Sequence, residues 1–531
     1  MSKGSPKNRP DANLELSAVV EGHATMEAPN VSCLLNRPVD PCTVVIIGAS
    51  GDLTERKLIP ALYSLFARDG LPDPFTVVGC GRTVMTREQF RRKMEPAIRE
   101  KDPEVARREQ FSSRLHYRSL EYDSPGSYAD LAAFLDDLDE SSGTGGNRIF
   151  YLALPMFLYG MTAKLLGESG LSRQGAEGKG WTRLVVEKPY GSDRASAARL
   201  DKVVHESFAE SQVFRIDHYL AKETVQNILM FRFANTIFEP LWNRDHIEHV
   251  DIIASETLGV EKRAGYYDKA GVLRDMFQNH MLQLLAMTAM EPPNRFESEA
   301  VHDEKVKVFR SLRPFPVDNI FENLVLGQYG PGTVDGKPVR GYLEEEGVDP
   351  ASTTPTYGMM RLFIDNPRWQ GVPFHLTSGK RLEGKLTEIA IRFRGTPLTM
   401  FEDLPGGEPS SANVLTMGIQ PREHITLTFN TKNPGARTCL RTVRMDFDYL
   451  QGYTGPHLEA YEKALLDCLN GDQMLFWRQD GIDLAWGFME PILHICETCR
   501  EKERLLHAYE AGSWGPKAAA ELKGLMLKQC K

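Results

Sequence analysis

Nine consecutive residues, Arg215-Ile216-Asp217-His218-Tyr219-Leu220-Ala221-Lys222-Glu223, contain two acids, three bases and a phenol. After Ala221, Val225, Ile228, Leu229 and Phe233 recur at i, i+3, i+4 and i+8, so a helix with one buried stripe is expected to begin here. The polar cluster then lies at a helix N-terminus, where unpaired N–H groups and the positive end of the dipole favour an anion. His218 and Lys222, four apart, are expected to share a face there, and a phosphate would suit it. The alternative is a charged helix start exposed to solvent.

A second concentration is Gly271-Val272-Leu273-Arg274-Asp275-Met276-Phe277-Gln278-Asn279-His280, which opens a helix running to about Glu291. His280 shares a face with Met276, Phe277 and Leu284 and reads as half-buried, either a satisfied core histidine or a base. Cys496 and Cys499 form a CxxC beside His494, but no second ligand pair lies near, which favours two half-buried thiols over zinc. Cys33 and Cys42 read as a redox handle or as idle thiols.

The elements that position these residues begin with Thr43-Val44-Val45-Ile46-Ile47, an apolar run suited to a strand covered on both faces. Gly48-Ala49-Ser50-Gly51-Asp52-Leu53 follows, and Leu58, Leu62, Leu65 and Phe66 mark a helix stopped by Gly70 and Pro72. Strand, glycine turn and helix is the context in which a backbone approaches a pyrophosphate, although the third glycine of the commoner fingerprint is missing. A second strand, Phe75-Thr76-Val77-Val78-Gly79, leads to Arg82, where an NAD site usually carries an acid; a guanidinium suits a 2′-phosphate and favours NADP. After an acidic, Ser/Gly-rich loop over 139–147 comes a buried strand from Arg148 to Pro155. A second glycine-rich loop, 170–180, leads to Arg183-Leu184-Val185-Val186-Glu187-Lys188-Pro189-Tyr190-Gly191, which puts Lys188 at a sheet's carboxyl edge. Strand-like stretches at 247–256, 359–364, 386–393, 413–419, 425–429 and 442–447 then follow with little helix between the later ones. The expected fold is an α/β Rossmann-type coenzyme domain plus a larger α+β domain with a mainly antiparallel sheet. Its boundaries read as a flexible extension over 1–40, the first domain over 41–220, the second over 221–515 and a tail over 516–531.

At 531 residues, 41% hydrophobic and 25% charged, the chain is long enough for two or three full cores. A net charge of −9 and a pI of 5.9 leave no basic footprint for nucleic acid. No apolar run long enough to span a membrane is present, and the N-terminus lacks the apolar stretch of a secretory signal. Eight cysteines are too few for a disulfide scaffold and fit a reducing compartment. Cytoplasm is the default expectation, and an organellar pool stays open.

Gly48-Ala49-Ser50-Gly51-Asp52-Leu53, Glu187-Lys188-Pro189-Tyr190-Gly191, residues 215–223 and residues 274–280 together resemble the glucose-6-phosphate dehydrogenase family. The likeness runs from about Val44 to Leu522, through Gly327-Gln328-Tyr329, Gly371-Val372-Pro373-Phe374 and Gly379-Lys380. It implies a Rossmann-type domain with NADP, and a β+α domain whose sheet joins subunits into a homodimer or homotetramer. His280 corresponds to the general base that takes the proton from the C1 hydroxyl of glucose 6-phosphate, and Asp217 to the carboxylate that orients it. Lys188, His218, Tyr219, Lys222, Glu256, Asp275, Lys380, Lys385 and Gln420 correspond to substrate contacts. Gly48, Ala49, Ser50, Gly51, Asp52, Leu53, Arg82, Tyr159 and Lys188 correspond to the NADP site, and no metal is implied.

Three departures stand out. Ala221 replaces a glycine of the substrate loop, and Lys385 an arginine. The structural NADP site of animal members has cationic and aromatic groups where this chain has Thr377, Leu386, Ala390, Gly418, Thr426 and Thr428, so no structural NADP is expected. Two other readings remain at this stage. One is a different sugar or sugar-phosphate dehydrogenase with a Glu-Lys-Pro strand end, separable by substrate profiling. The other is a catalytically silent NADP-binding regulator, separable by whether His280→Asn changes anything.

Overall fold

Six short strands, five of them ending near a residue singled out above, form one parallel sheet in the computed structural model. The structure describes residues 39–102, 104–175, 180–396, 412–435, 440–449, 457–498 and 505–522. The strands are Cys42–Ile47 (β1), Phe75–Gly81 (β2), Leu115–Ser119 (β3), Arg148–Leu152 (β4), Thr182–Val186 (β5) and Val213–Arg215 (β6), in the order β3-β2-β1-β4-β5-β6. All neighbours are parallel. Alternate residues of β1 enter different cores: Val45 and Ile47 pack on one face, Val44 and Ile46 on the other. That is why β1 is an unbroken apolar run. Strand order reverses between β1 and β4, and such a switch point opens a crevice at the strands' carboxyl ends.

The second sheet is built from Ile247–Ser255 (β7), Leu324–Gly330 (β8), Tyr357–Phe363 (β11), Pro373–Gly379 (β12), Leu386–Phe393 (β13), Val414–Gln420 (β14), His424–Lys432 (β15), Leu440–Asp448 (β16) and Leu506–Glu510 (β17). Gly332–Val334 (β9) and Lys337–Val339 (β10) form a separate hairpin. The nine strands lie in the order β16-β15-β14-β13-β7-β12-β11-β8-β17. Only β7 with β12 and β8 with β17 are parallel, so the sheet is mainly antiparallel as expected. Val250, Ile252 and Ala254 of β7 pack with Leu284 and Leu285 in one core, and the alternate residues His249 and Asp251 point to the opposite face. Residues 458–477 return to the first sheet: Phe476 joins its core, and Arg183 Nη1 donates to the carbonyls of Cys468 and Leu469 at 2.6 and 2.8 Å.

Several local expectations are corrected. The helix after the polar cluster spans Glu223–Phe233 with Lys222 as its N-cap, and residues 218–222 form turns. His218 and Lys222 are therefore not neighbours on a helical face. The expected loop at 139–147 is shorter, because the helix Pro125–Ser142 continues until Gly143, in the left-handed conformation at φ 74°, ends it. Cys42 is buried in β1, and its thiol is pushed by burial up to about 12, which removes it as a redox handle. Cys33 and Cys499 lie outside the described residues.

The segment after Gly271 differs most. Gly271 is itself non-helical (φ 59°, ψ 175°), Leu273–Met281 forms a π-helix, and Leu282–Ala289 continues as α-helix. Strands β3, β6, β8, β12 and β17 escaped the sequence reading. Strand β3, LHYRS, alternates but has only two buried residues, too short a pattern to stand out, and β12 begins with proline and carries His, Ser and Gly, so it shows no clean period of two.

Candidate active site

His280 and Asp217 come from different elements, the π-helix and the exit of β6, and they meet. His280 Nδ1–H donates to Asp217 Oδ1 at 2.5 Å, and both side chains are buried. His280 is fully buried rather than half-buried. Tyr219 N–H donates to the same Asp217 oxygen at 2.9 Å. On the far side of the ring, Lys188 Nζ lies 2.9 Å from His280 Nε2 and donates to the Asp275 carbonyl and Oδ1 at 3.2 and 3.3 Å. An ammonium is only a donor, so Nε2 carries the lone pair and Nδ1 the proton. This is the tautomer in which Nε2 can accept a proton from a ligand that displaces the lysine.

The π-turn explains why one lysine reaches both Asp275 and His280. Residues five apart on an α-helix point about 140° away from each other, whereas the i→i+5 bonding of a π-helix stacks them. Lys188 arrives opposite that stack from the end of β5.

A second chain of contacts leads away from the imidazole. Tyr219 stacks on His280 with ring centroids 4.3 Å apart, and His218 meets His280 edge-on at 4.7 Å. Lys222 Nζ sits 4.3 Å from the Tyr219 ring and donates to Gln420 Oε1 at 2.5 Å; Gln420 Nε2 donates to Thr387 Oγ1 at 2.8 Å. Lys380 is paired with Glu256, and its Nζ is 5.1 Å from the Tyr267 ring. Lys385 is exposed at the start of β13, near enough to Lys222 to act on its charge. The carboxyl ends of β5, β6, β7, β12 and β14, together with the π-helix and the segment entering β13, thus supply the residues expected at the substrate.

The coenzyme residues collect at the switch point. Gly48 has φ 101°, and a Cβ there would meet the Ala153 carbonyl oxygen at 2.1 Å, so only glycine fits this turn against the end of β4. Gly48 and Ala49 N–H donate to the Cys80 carbonyl at 2.8 and 2.9 Å, Ser50 and Leu53 are half-buried, and Gly51 and Asp52 are exposed. The helical segment that starts at once has no side-chain cap, which leaves its first amides for an anion. Arg82 is exposed at the end of β2, 5.4 Å from the Tyr122 ring. Tyr159 is buried, so its side chain, unlike Arg82, is held inside the core. The turn, the uncapped amides and the exposed guanidinium fit a phosphorylated dinucleotide.

Charge is tightly controlled here. Burial lowers the His280 pKa below the usual imidazole value, Asp217 pulls it back up, and Lys188 lowers it. Burial also raises the Asp217 carboxyl, but attraction to His280 and the hydrogen bonds outweigh it and hold the group well below the ordinary range. Asp275 is likewise raised by burial but held low overall by Lys188, Lys380 and Arg263. Burial and then the neighbouring His280 and Lys188 keep His218 neutral. Lys222 is lowered to about 8 by burial and by Lys385. Asp217, His218 and His280 bring three donor atoms within 4.8 Å, but the Lys188 ammonium stands where an ion would meet Nε2.

Three participants escaped the sequence reading. Thr387 holds Gln420. Glu187 accepts from Tyr151 Oη at 2.5 Å behind Lys188, and burial raises its pKa. Lys305, on the helix Ser298–Arg310, is buried with no hydrogen bond to its Nζ among the described residues, and burial lowers it to about 7. Asp217 attracts it, and Asp217 Oδ2 is also buried without a hydrogen-bond partner among the described residues. A charged residue in an otherwise apolar helical stripe, at Val301, Lys305, Val308 and Phe309, was the available signal.

Comparison with known proteins agrees with this geometry. The family model "Glucose-6-phosphate dehydrogenase, NAD binding domain" matches residues 45–227, and "Glucose-6-phosphate dehydrogenase, C-terminal domain" matches residues 229–526. Glucose-6-phosphate 1-dehydrogenase of Aggregatibacter actinomycetemcomitans is 47% identical over 482 residues, covering 91% of this chain and 95% of that protein. The Bacillus subtilis enzyme of the same name is 41% identical over 481 residues, covering 90% and 96%. A solved glucose-6-phosphate dehydrogenase in complex with its substrate glucose-6-phosphate superposes with a TM-score of 0.84 at 34% identity, covering 93% of this chain and 99% of that one.

Proposed function

The chain belongs to the glucose-6-phosphate dehydrogenase family, and on that premise we propose that it oxidises β-D-glucose 6-phosphate at C1 to 6-phospho-D-glucono-1,5-lactone with NADP⁺ as acceptor, the first step of the oxidative pentose phosphate pathway. The observation that carries this reading is the chain from buried Asp217 and His280 to half-buried Lys188, which leaves a neutral imidazole lone pair facing a displaceable cation.

Each residue then has a task. His280 Nε2 takes the C1 hydroxyl proton, and Asp217 holds the tautomer and stabilises the imidazolium that results. Lys188, displaced from Nε2, stays beside the reacting oxygen through its hold on Asp275. His218, Tyr219 and Lys222, with Lys385 and Gln420 behind them, suit the sugar phosphate, and Glu256, Asp275 and Lys380 suit its hydroxyls. Gly48, Ala49, Ser50, Gly51, Asp52 and Leu53 would hold the coenzyme's pyrophosphate and Arg82 its 2′-phosphate, with Tyr159 as support from the core. NADP, when bound, supplies the hydride acceptor.

The remaining assignments rest on the same reading. One NADP binds per subunit, because Thr377, Leu386, Ala390, Gly418, Thr426 and Thr428 carry no charge to clamp a second. The molecule is a cytoplasmic homodimer or homotetramer that uses the second sheet to associate. The free, buried thiols of Cys42, Cys80 and Cys468 support a reducing compartment.

Initial rates at the reduced-nicotinamide absorbance band, with glucose 6-phosphate, glucose and fructose 6-phosphate crossed against NADP and NAD, test the proposal. Turnover is expected chiefly with glucose 6-phosphate and NADP, and about 10²–10⁴-fold less in His280→Asn. Reduction of NADP with none of the three sugars would overturn it.

A further inference from the structure

Lys305 is buried at 3% exposure, and among the described residues its Nζ has neither a hydrogen bond nor an ion pair. A buried ammonium without partners costs stability, and an apolar side chain of similar size would fill the place without that cost. Such a lysine calls for a role outside folding. Its place is fixed by its neighbours on the helix Ser298–Arg310, where His302, Lys305 and Phe309 share one face at i, i+3 and i+7. His302 Nε2–H donates to the Phe476 carbonyl at 3.1 Å, and Phe309 stacks on Trp477 with ring centroids 5.6 Å apart. Trp477 N–H in turn donates to the carbonyl of Arg215, two residues before Asp217, at 3.1 Å. Trp477 and Asp217 also line one cavity of about 20 Å³ together with His280. The face that carries Lys305 is thus turned to the back of the Asp217–His280 pair. Asp217 Oδ1 is taken by His280 and Tyr219, and Oδ2 accepts no hydrogen bond among the described residues.

We propose that Lys305 is a positioning residue for the reaction: its buried charge acts through Asp217 to keep the His280 ring neutral and able to accept a proton. This deepens the proposed function and rests on it for the role of His280. Asp217 by itself favours the imidazolium, which cannot serve as a base. A cation behind the carboxylate opposes that imidazolium, and in a low-dielectric interior charges act on one another without touching. Asp217 is the charge that acts most strongly on Lys305, ahead of Arg478 and Asp480. Those two are paired with each other at 2.8 Å, so their fields largely cancel. His302, on the same face, is held neutral by burial and adds no charge. Lowered only to about 7, the Lys305 ammonium still carries its charge in the acid range where His280 takes up its proton.

Two neutral variants, Lys305→Met and Lys305→Gln, are compared with the parent as full-length proteins. The pH profile of kcat/KM is measured with glucose 6-phosphate and NADP. Separately, the His280 imidazole is titrated by NMR on isotope-labelled histidine, its signal assigned with His280→Asn. Both variants should move the acid limb and the imidazole pKa up by about 0.5–1 pH unit. Lys305→Met should unfold at the parent's temperature or above it, because it removes an unpaired buried ammonium. A lysine needed only for folding predicts a lower unfolding temperature and an unmoved pKa, and that result would overturn the proposal. Lys305→Gln carries the titration if Lys305→Met is destabilised. An imidazole pKa that stays put or moves down in a folded variant would overturn the proposal as well. The NMR titration decides this point even if the parent reduces no NADP with glucose 6-phosphate, an outcome that would overturn the reaction instead.

Discussion

At the scale of single residues, His280 shows how burial and partners oppose each other. Desolvation and Lys188 favour the neutral ring, and Asp217 favours the cation, with the balance below the ordinary imidazole value. Protonated His280 cannot accept a proton, so kcat/KM should fall with acid through an apparent pKa below about 6.5. Asp217→Asn removes the largest influence raising that pKa, ahead of Asp275. The acid limb should move further down while kcat drops by about 10²–10⁴-fold, as a pH-rate series would show. An unmoved limb would separate Asp217 from the base. Arg82 makes an equally local claim. In binding titrations the parent should take up one NADP per subunit, and Arg82→Ala should lose far more affinity for NADP than for NAD. Equal losses would remove Arg82 from the 2′-phosphate.

The element that decides the site is the π-helix Leu273–Met281. Its i→i+5 stacking puts Asp275 and His280 on Lys188 together, and Gly271 lets the chain enter it. The φ/ψ of Gly271 is open essentially to glycine alone, and a Cβ would also meet Thr354 Cγ2 at 3.3 Å. Gly271→Ala should therefore cost about 1–3 kcal/mol in denaturant unfolding and reduce kcat by shifting Asp275 and His280. Full stability with full activity would show that the entry to the π-helix is not constrained there. Element identity was partly legible in the sequence: the apolar runs of β1, β4 and β13 matched, because strands covered by side chains on known faces leave a pattern. The π-helix was not legible, since the apolar positions Met276, Phe277 and Leu284 around His280 fit an ordinary helix equally well.

For the whole molecule, several histidines are kept neutral by burial. His302 is lowered to about 3 and His116 to about 4, mainly by burial, and His218 and His280 are lowered for the same first reason. These folded pKa values lie below the unfolded one, so as pH falls through about 6.5 the unfolded chain takes up protons that the folded chain does not. Stability is lost in that direction, by up to about 1.4 kcal/mol per pH unit for each deeply buried histidine until its folded pKa is reached. The partly exposed His116 should contribute less. Urea unfolding at about pH 7 and about pH 5 should show a clear drop, and stability that is flat or rises with acid would contradict it. The carboxylates Asp217 and Asp275 add their own loss only below about 4, because their folded values are depressed.

Residue types and order alone determined the parallel coenzyme-binding sheet, the glycine turn, the mainly antiparallel second sheet and the candidate residues. Each of these leaves a local mark: buried runs, glycine next to a strand end, a lysine before proline. Tertiary structure alone decided which of those residues touch. Lys188 rests on His280 because β5 ends opposite a π-turn, residues 458–477 complete the first core, and His375 joins His249 and Asp251 only because β12 runs parallel to β7. Contacts between residues far apart in the chain depend on strand order, register and helix period, and a side chain's identity carries no information about which distant strand will lie beside it.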